Sequence, residues 1–373
     1  MELKTFMLII CILILIGGCS GGTGLAVHKD TVKIGIDFPM SGPLAVYGNP
    51  LFEGFQLAAE EINQEGGING RPIQLVVQDN RGTPKEAVTA AEQMLDNDKI
   101  DLMLTTLVGP AGAIAPLTES RKKILLYAAA ADNFAESNQY VFKDSVDSYN
   151  DCRLLAEYGA ENGIKRIALF GADAEFTEKC KEGMNSVKGV EMVSFEKYVK
   201  GDMDFATPLT KIGSKNPDAI YLLAYSDDCI NIWKKAKELD LSTTYMVPIT
   251  QSGCGDEGSM KSMAGIRNNV IGLDFVVDKA GERFTKFSSD FKSRYSKEPS
   301  MLFFTALGYD WGHYVASAMA SCRDASDTEC VKAALEKTDY DGIWGHVSFS
   351  PKHTTLRPRE LIQFSEDKWA KLQ

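Results

Sequence analysis

The sequence predicts an α/β protein with two lobes, each built around a largely parallel β-sheet. Short apolar runs alternate with segments of helical periodicity, and continuous apolar runs between helices are typical of parallel strands buried on both faces. This alternation stops after residue 143 and starts again near residue 152. The chain has 373 residues, more than one hydrophobic core usually organises, so two domains are expected.

The first set of elements opens with an apolar run over 32–38, which predicts a strand. Apolar residues at helical spacing follow over 51–65, and the pair Gly66-Gly67 ends that helix. The same criteria predict further strands over 72–77, 100–106, 124–127 and 140–143, with helices over 84–95 and 114–122.

The second set repeats the pattern and predicts a second α/β lobe. Its helices are expected over 152–162, 175–187, 205–212 and 230–239, and its strands over 166–170, 192–198, 219–224 and 245–249. The rest of the chain predicts a strand over 270–276, helices over 284–295, 305–321 and 331–336, and a terminal β ribbon formed by 347–349 and 361–364.

Residues 1–18 have the pattern of an export signal. Lys4 precedes an apolar run over 6–16, which is much shorter than the roughly 20 residues of a membrane-spanning helix. Small residues before Cys19 resemble the lipobox of bacterial and archaeal lipoproteins, which implies lipid attachment at Cys19 and a linker over 19–30. An ordinary secretory signal is the alternative. Both interpretations place the working protein outside the cytoplasm, in the periplasm or lipid-anchored at the outer face of the cytoplasmic membrane.

Charge and cysteine content exclude several classes of protein. The formal net charge is -11, and the absence of a long basic run makes nucleic acid an unlikely partner. Of eight cysteines, six remain after the signal segment and Cys19 are set aside, an even number that permits disulfides. We favour a bridge between Cys322 and Cys330, which bracket a short polar segment. Pairs 152–180 and 229–254 are also open, because six cysteines allow 15 connectivities.

The sequence contains no convincing catalytic or metal-binding motif. The segment 253–258 matches GxGxxG, but Asp256 and Glu257 would face a pyrophosphate there, so we reject a dinucleotide site. The four histidines are scattered, and no CxxC, HExxH or GxSxG pattern is present. We therefore predict a protein without cofactor or metal that is not an enzyme.

Long ordered blocks resemble a known family. The segments VKIGIDFPMSGPLAVYG at 32–48 and EINQEGGINGR at 61–71 are similar to the opening of leucine/isoleucine/valine-type solute-binding proteins of ABC importers. Further matching blocks lie at 84–88, 307–310 and 340–349.

The resemblance implies a type I periplasmic binding fold, in which two doubly wound, Rossmann-like lobes are joined by three crossovers and enclose a ligand in the cleft between them. We place the crossovers at 143–147, 272–277 and 341–347. The first lobe then comprises 31–145 plus 275–342, and the second 146–274 plus 343–373. The implied function is that of a monomeric, lipid-anchored receptor that passes a small molecule to a permease and its ATPase. A ligand-sensing module for a signalling partner is the alternative.

Carried over by position, the family's ligand-binding elements fall on a defined set of residues. Backbone N–H groups at a helix start after a strand can bind a carboxylate, and aromatic rings line the rest of such a cleft. The positions are Tyr47, Gly109, Ala111, Gly112, Ala130, Asp132, Phe176, Tyr225, Thr250 and Gln251. Near the crossovers, Asp147, Tyr149 and Phe275 are further candidates.

The sequence departs from the amino-acid-binding members of the family at two places. Those members hold the ligand carboxylate with serine or threonine hydroxyls, whereas 108–113 has none and the next element ends in Asp132. The acidic partner of the ligand ammonium is also missing at 249–251. Either Asp132 binds the ammonium, or the ligand is not an α-amino acid but an amide, an amine or an aromatic acid. Asp132 as a helix N-cap is a further alternative.

Overall fold

A computed structural model describes residues 31–131, 134–248, 253–255, 260, 270–365 and 368–372. The predicted signal segment 1–18, the linker 19–30 with Cys19, and the candidates Asp132, Thr250 and Gln251 lie outside these described residues. The same holds for most of the rejected glycine motif at 253–258.

Five parallel strands form the first sheet, in the order β2-β1-β3-β4-β5. Alternate residues of β1, such as Ile34 and Ile36, pack into one core, while Met103 and Leu125 from neighbouring strands pack into a second core on the opposite face. The sheet is therefore covered on both faces, as its apolar strands predict. The strands are β1 Val32–Phe38, β2 Ile73–Asp79, β3 Leu102–Thr106, β4 Ile124–Ala128 and β5 Val141–Lys143.

The second sheet has seven strands in the order β15-β14-β10-β9-β8-β6-β7. Strands β6 to β10 are parallel, and β14 and β15 add an antiparallel edge. The strands are β6 Arg166–Ala172, β7 Glu191–Tyr198, β8 Ala219–Leu223, β9 Thr244–Pro248, β10 Val270–Phe275, β14 Arg359–Ser365 and β15 Lys368–Lys371.

Helices connect the strands and cover both sheets. In the described part of the chain they are α1 Ala45–Gln64, α2 Pro84–Glu92, α3 Val108–Ser120, α4 Ser148–Glu161, α5 Glu175–Asn185, α6 Ala206–Gly213, α7 Ser226–Glu238, α8 Glu282–Tyr295, α9 Leu302–Ala320 and α10 Thr328–Leu335. A π-helical turn, Gln93–Asp98, extends α2. We call the first sheet with α1–α3 and α8–α10 the first lobe, and the second sheet with α4–α7 the second lobe.

A small third sheet belongs to the first lobe and corrects the predicted terminal ribbon. It consists of β11 Asp339–Gly342, β12 Gly345–Phe349 and β13 Thr355–Leu356. The two predicted ribbon strands do not pair with each other, because β12 pairs with β11 and β13 while β14 pairs with β10 and β15. The physical reason is apolar burial, since Val347 and Phe349 pack into the first-lobe core.

The chain passes between the lobes three times. Two passages, at 144–147 and 276–281, lie at or next to the predicted crossovers 143–147 and 272–277. The third is the two-residue link 357–358 between β13 and β14, downstream of the predicted 341–347. Residues 343–356, assigned by sequence to the second lobe, therefore pair and pack with the first.

Three disulfides join the six cysteines of the described residues. Cys322 and Cys330, the favoured pair, are bridged between α9 and α10 with a Cα–Cα distance of 5.9 Å. The two pairs that the sequence left open are also bridged, 152 with 180 between α4 and α5 and 229 with 254 from α7. Disulfide bridges are typical of proteins in oxidising compartments.

Candidate functional site

The candidate site lies where the carboxyl ends of the parallel strands of both lobes meet. In open α/β sheets, ligands bind in the crevice outside these strand ends. In the first lobe, α1 and α3 begin there after β1 and β3, and in the second lobe α5 and α7 begin there after β6 and β8.

Tyr47 and Tyr225 belong to opposite lobes. Tyr47 lies in the first turn of α1, and its ring packs edge-on against Phe304 with centroids 5.4 Å apart. Burial raises the pKa of Tyr47 to about 12, and the nearby Tyr225 hydroxyl adds to the rise. Tyr225 is the N-cap residue of α7, so each lobe contributes one tyrosine at a helix start that follows a strand of its sheet.

The wall of the crevice that the second lobe contributes is aromatic, and hydrogen bonds fix its geometry. The ring of Tyr225 meets Phe176 edge-on at 6.1 Å. Behind it, the Tyr225 backbone N–H donates to the Tyr198 hydroxyl at 3.2 Å, and that hydroxyl donates to the buried carboxylate of Asp228 at 3.0 Å. The Lys200 ammonium lies 4.5 Å from the centre of the Tyr225 ring. The structure thus brings together the predicted residues Phe176 and Tyr225, and adds Lys200.

Of the predicted ligand-binding residues in the first turns of α3, two are engaged within the protein itself. The Ala111 N–H donates to the Leu107 carbonyl at 3.1 Å, and its side chain is buried. Gly112 lies against the ring of Phe134, which a Cβ would contact at 2.7 Å. Ala111 therefore uses its amide within the helix, and the lack of a side chain at Gly112 is explained by packing. Gly109 is the second residue of α3, next to the carboxyl end of β3.

A cavity of about 220 Å³ lies beside this crevice, and three other predicted residues, Ala130, Asp147 and Tyr149, line it. Its walls come from both lobes, and they are Ala130, Ala131, Glu136, Lys143, Asp147, Tyr149, Lys179 and Glu182. Asp147 is the N-cap of α4, because its carboxylate accepts a hydrogen bond from the Asn150 N–H at 3.1 Å. The Lys143 ammonium is buried and donates to the Ala131 carbonyl at 2.9 Å, so the charged lining is largely engaged by the protein itself.

Phe275 packs between the lobes. It is buried at the end of β10, where its ring stacks on Phe303 at 5.4 Å and lies 3.6 Å from the Arg359 guanidinium. These contacts place Phe275 next to the second passage between the lobes.

Asp37 lies buried near the end of β1, beneath the first-lobe wall. Its Oδ2 accepts a long hydrogen bond from the Thr105 hydroxyl, at 3.4 Å, and its Oδ1 has no hydrogen-bond partner among the described residues. Burial is the main reason why its pKa rises to about 7, and the Asp79 charge adds to the rise. A carboxyl whose pKa is raised by folding favours the folded state most at low pH.

We expect the Asp37→Asn substitution to reduce the pH dependence of stability. In the wild type, the free energy of unfolding should fall as pH rises from about 4 to about 7, by roughly 1.4 kcal/mol per unit at most, and level off above that range. Asparagine cannot ionise, so the fall should be smaller in the variant, where the buried carboxyl of Asp310, with its pKa raised to about 6, still contributes. The measurement is urea unfolding between pH 4.5 and 8, with the exposed Asp96→Asn as control. Parallel profiles for wild type and Asp37→Asn would contradict the prediction.

Several residues of the site were missed by sequence reasoning. Lys200 and Phe304 carry no motif, and only their positions after a strand and at a helix start place them at the crevice. Lys143 could have been identified from the sequence, because it ends the apolar run of β5. A lysine at such a position is expected to be buried and to pair with a polar group.

The fold and the crevice together define a two-lobed α/β protein whose strand ends face each other across an aromatic-walled cleft. The family model described as periplasmic binding protein matches residues 31–368. The chain belongs to this periplasmic binding protein family, which confirms the resemblance drawn from the sequence blocks.

Individual relatives are distant. The Leu/Ile/Val-binding protein of Escherichia coli K12 is 27% identical over 243 residues, which cover 63% of this chain and 66% of that protein. The chain spans 57% to 66% of the length of the first curated relatives that it matches.

Solved structures share the fold over most of the chain. The Streptococcus pneumoniae branched-chain amino acid transporter substrate-binding protein LivJ, in complex with isoleucine, has a TM-score of 0.75 at 24% identity and covers 91% of this chain and 98% of its own. A Rhodopseudomonas palustris BisB5 ABC-transporter solute-binding protein, in complex with 3,4-dihydroxybenzoic acid, has a TM-score of 0.76 at 21% identity and covers 92% and 96%.

The described ranges contain neither a candidate membrane span nor a candidate metal site. No helix in them combines the length and apolarity that a bilayer crossing requires. No group of His, Cys, Asp and Glu side chains in them has an arrangement suited to a metal ion.

Proposed function

We propose that this protein is the extracytoplasmic solute-binding component of an ABC importer of the branched-chain-amino-acid type. It captures a small polar ligand between its lobes and presents it to a permease and its ATPase, and it acts as a monomer without catalysing a reaction. A lipid on Cys19 holds it at the membrane. The observation that supports the proposal is the placement of Tyr47 and Tyr225, one in each lobe, at helix starts that follow the carboxyl ends of parallel strands. Two lobes joined by short passages can close on a solute by hinge motion.

An amino acid or a related compound is the first candidate ligand. The family match and the amino-acid-binding relatives support it. Gly109 at the start of α3 supplies a backbone N–H for a carboxylate, and Asp132, if it lies at the crevice, supplies a partner for an ammonium.

An aromatic acid is the second candidate, and the composition of the walls favours it. The first-lobe turn at 128–131 consists of four alanines without a hydroxyl. The opposite wall offers the rings of Phe176 and Tyr225 with the Lys200 ammonium beside them. Rings of this kind can stack on an aromatic body while the ammonium attracts a carboxylate.

A binding screen separates these candidates. The purified protein would be titrated calorimetrically with leucine, isoleucine, valine, benzoate, 3,4-dihydroxybenzoate, aliphatic amides and polyamines. A true ligand at about 100 times its dissociation constant should also raise the free energy of unfolding by roughly 2.7 kcal/mol. Lack of binding to every compound at millimolar concentration would count against the proposed function.

Tyr225→Ala is expected to weaken binding of the ligand so identified by about 30-fold or more, because a buried aromatic contact at the centre of a site often contributes about 2 kcal/mol. The matched control is Tyr158→Ala, the same change at a half-buried tyrosine near the end of α4, in the same lobe but remote from the strand carboxyl ends. The control should keep wild-type affinity. Equal affinities of the wild type and Tyr225→Ala would remove Tyr225 from the site.

A further inference from the structure

Four aromatic rings form a continuous row from the crevice to the hinge. Tyr47 contacts Phe304 at 5.4 Å, Phe304 contacts Phe303 at 5.2 Å, and Phe303 stacks on Phe275 at 5.4 Å with an interplanar angle of 11°. Such pairs contribute beyond the area that they bury, and their geometry is directional. The row begins at a residue of the proposed ligand site and ends at the second passage between the lobes.

The row rests on a rigid support. Phe303 and Phe304 lie in the first turn of α9, whose backbone lies directly against that of α1. The Trp344 indole N–H donates to the Phe303 carbonyl at 3.1 Å, and the ring of Trp344 packs against that of Phe303 at 5.7 Å. Since the first turn of α9 is held from behind, the Phe304 ring is a fixed surface for Tyr47.

We propose that Phe304 is a positioning residue, which fixes the ring of Tyr47 at the crevice and so determines ligand affinity through Tyr47. The inference rests on the proposed function, because it assigns a role within the same site. Among the aromatic ring pairs of the described residues, Tyr47 takes part in one, the edge-on contact with Phe304. Without the Phe304 ring, the Tyr47 side chain can adopt other rotamers, and the ordering cost then falls on ligand binding.

Phe304→Leu is the test substitution. It should weaken ligand binding by about tenfold, the upper end of the contribution of an aromatic pair, while Phe304→Tyr, which keeps the ring, should restore affinity. The matched control is Phe284→Leu, at another half-buried phenylalanine of the first lobe, which packs on Phe287 and not on Tyr47. The control should lower the unfolding temperature similarly and leave affinity unchanged.

A double-mutant cycle separates positioning from a general loss of structure. If Phe304 acts through Tyr47, then Phe304→Leu should change affinity little in a Tyr47→Leu background. An equal weakening in both backgrounds would overturn the proposal, and so would unchanged affinity in the single variant.

A measurement without ligand distinguishes failure of this inference from failure of the proposed function. Tetranitromethane nitration of Tyr47, followed by peptide mass spectrometry with Tyr158 as internal reference, should be several-fold faster in Phe304→Leu than in the wild type or Phe284→Leu. If the wild type binds no compound in the screen, the proposed function fails, and the nitration rates alone decide whether Phe304 positions Tyr47. Equal nitration rates in all three proteins would overturn the positioning role.

Discussion

Replacing Arg357 with leucine is expected to lower the free energy of unfolding by about 3–5 kcal/mol, because the change leaves a buried carboxylate without its partner. The Arg357 guanidinium donates to both oxygens of Asp144, at 2.9 and 2.7 Å, and the two side chains are almost completely inaccessible to solvent. Asp310, also buried, lies 3.6 Å from the same guanidinium.

The pKa values of the two carboxyl groups show where the loss arises. Burial alone would raise the pKa of Asp144, but the charge and hydrogen bonds of Arg357 outweigh it and hold the pKa below its usual value. Burial raises the pKa of Asp310 to about 6, although Arg357 opposes the rise. Without the guanidinium, Asp144 must either stay charged in a dry environment or bind a proton, and both outcomes destabilise the folded state.

Urea unfolding at pH 7 checks this prediction, with Arg153→Leu as the matched control. Arg153 pairs with Glu157 one turn along α4 on a partly exposed surface, where such a pair contributes about 0.5 kcal/mol or less. The double variant Arg357→Leu with Asp144→Leu should recover part of the loss, because it removes the unpaired charge. Similar losses in Arg357→Leu and Arg153→Leu would contradict the prediction.

This ion pair also explains the position of the third passage between the lobes. Arg357 is held by Asp144 next to the first passage, whereas Arg359, two residues further, donates to Asp151 of α4 at 3.0 Å. The two arginines therefore anchor opposite sides of the link at Pro358, one in each lobe. In the proposed closure, the chain can bend within 145–147, within 276–281 and at Pro358 without breaking either anchor.

Elements fixed by local pattern were predictable from the sequence. The run 32–38 matches β1 at both ends, because an uninterrupted apolar strand between two turns leaves little choice. The start of α1 was placed six residues late, since Gly48 and Pro50 weaken the helical pattern. The structure accounts for Gly48, where a Cβ would lie 2.1 Å from the Pro39 carbonyl oxygen.

Features that depend on distant partners were not predictable. The sequence assigned residues 343–356 to the second lobe because nothing local shows that β12 pairs with β11 and packs on the first core. Asp144 and Arg357 are separated by 213 residues, so their pairing leaves no pattern. At the site, the predicted residues Tyr47 and Tyr225 lie in different lobes, while Ala111 and Phe275 are packed by neighbours that only the fold brings near.

Gly308→Ala is expected to lower the free energy of unfolding by about 3 kcal/mol or more, against the normal effect of this change in a helix. Alanine usually stabilises a helix interior by up to about 1 kcal/mol relative to glycine. At Gly308 in α9, however, a Cβ would lie 2.0 Å from the Leu51 carbonyl oxygen of α1, and at Gly54 in α1 it would lie 1.8 Å from the Thr305 carbonyl oxygen. The obstacle is helix backbone on both sides, which cannot rotate away, so the two helices would have to separate.

The matched control is Gly159→Ala in α4, where the nearest atoms to a new Cβ lie at 3.4 to 3.6 Å, an ordinary contact distance. We expect this variant to be more stable than the wild type by roughly 0.5–1 kcal/mol. Thermal and urea unfolding of both variants test the pair, and a shift of both in the same direction would contradict the account. Because α1 carries Tyr47 and α9 carries Phe304, separating the two helices should also weaken ligand binding in Gly308→Ala, while Gly159→Ala keeps the affinity of the wild type.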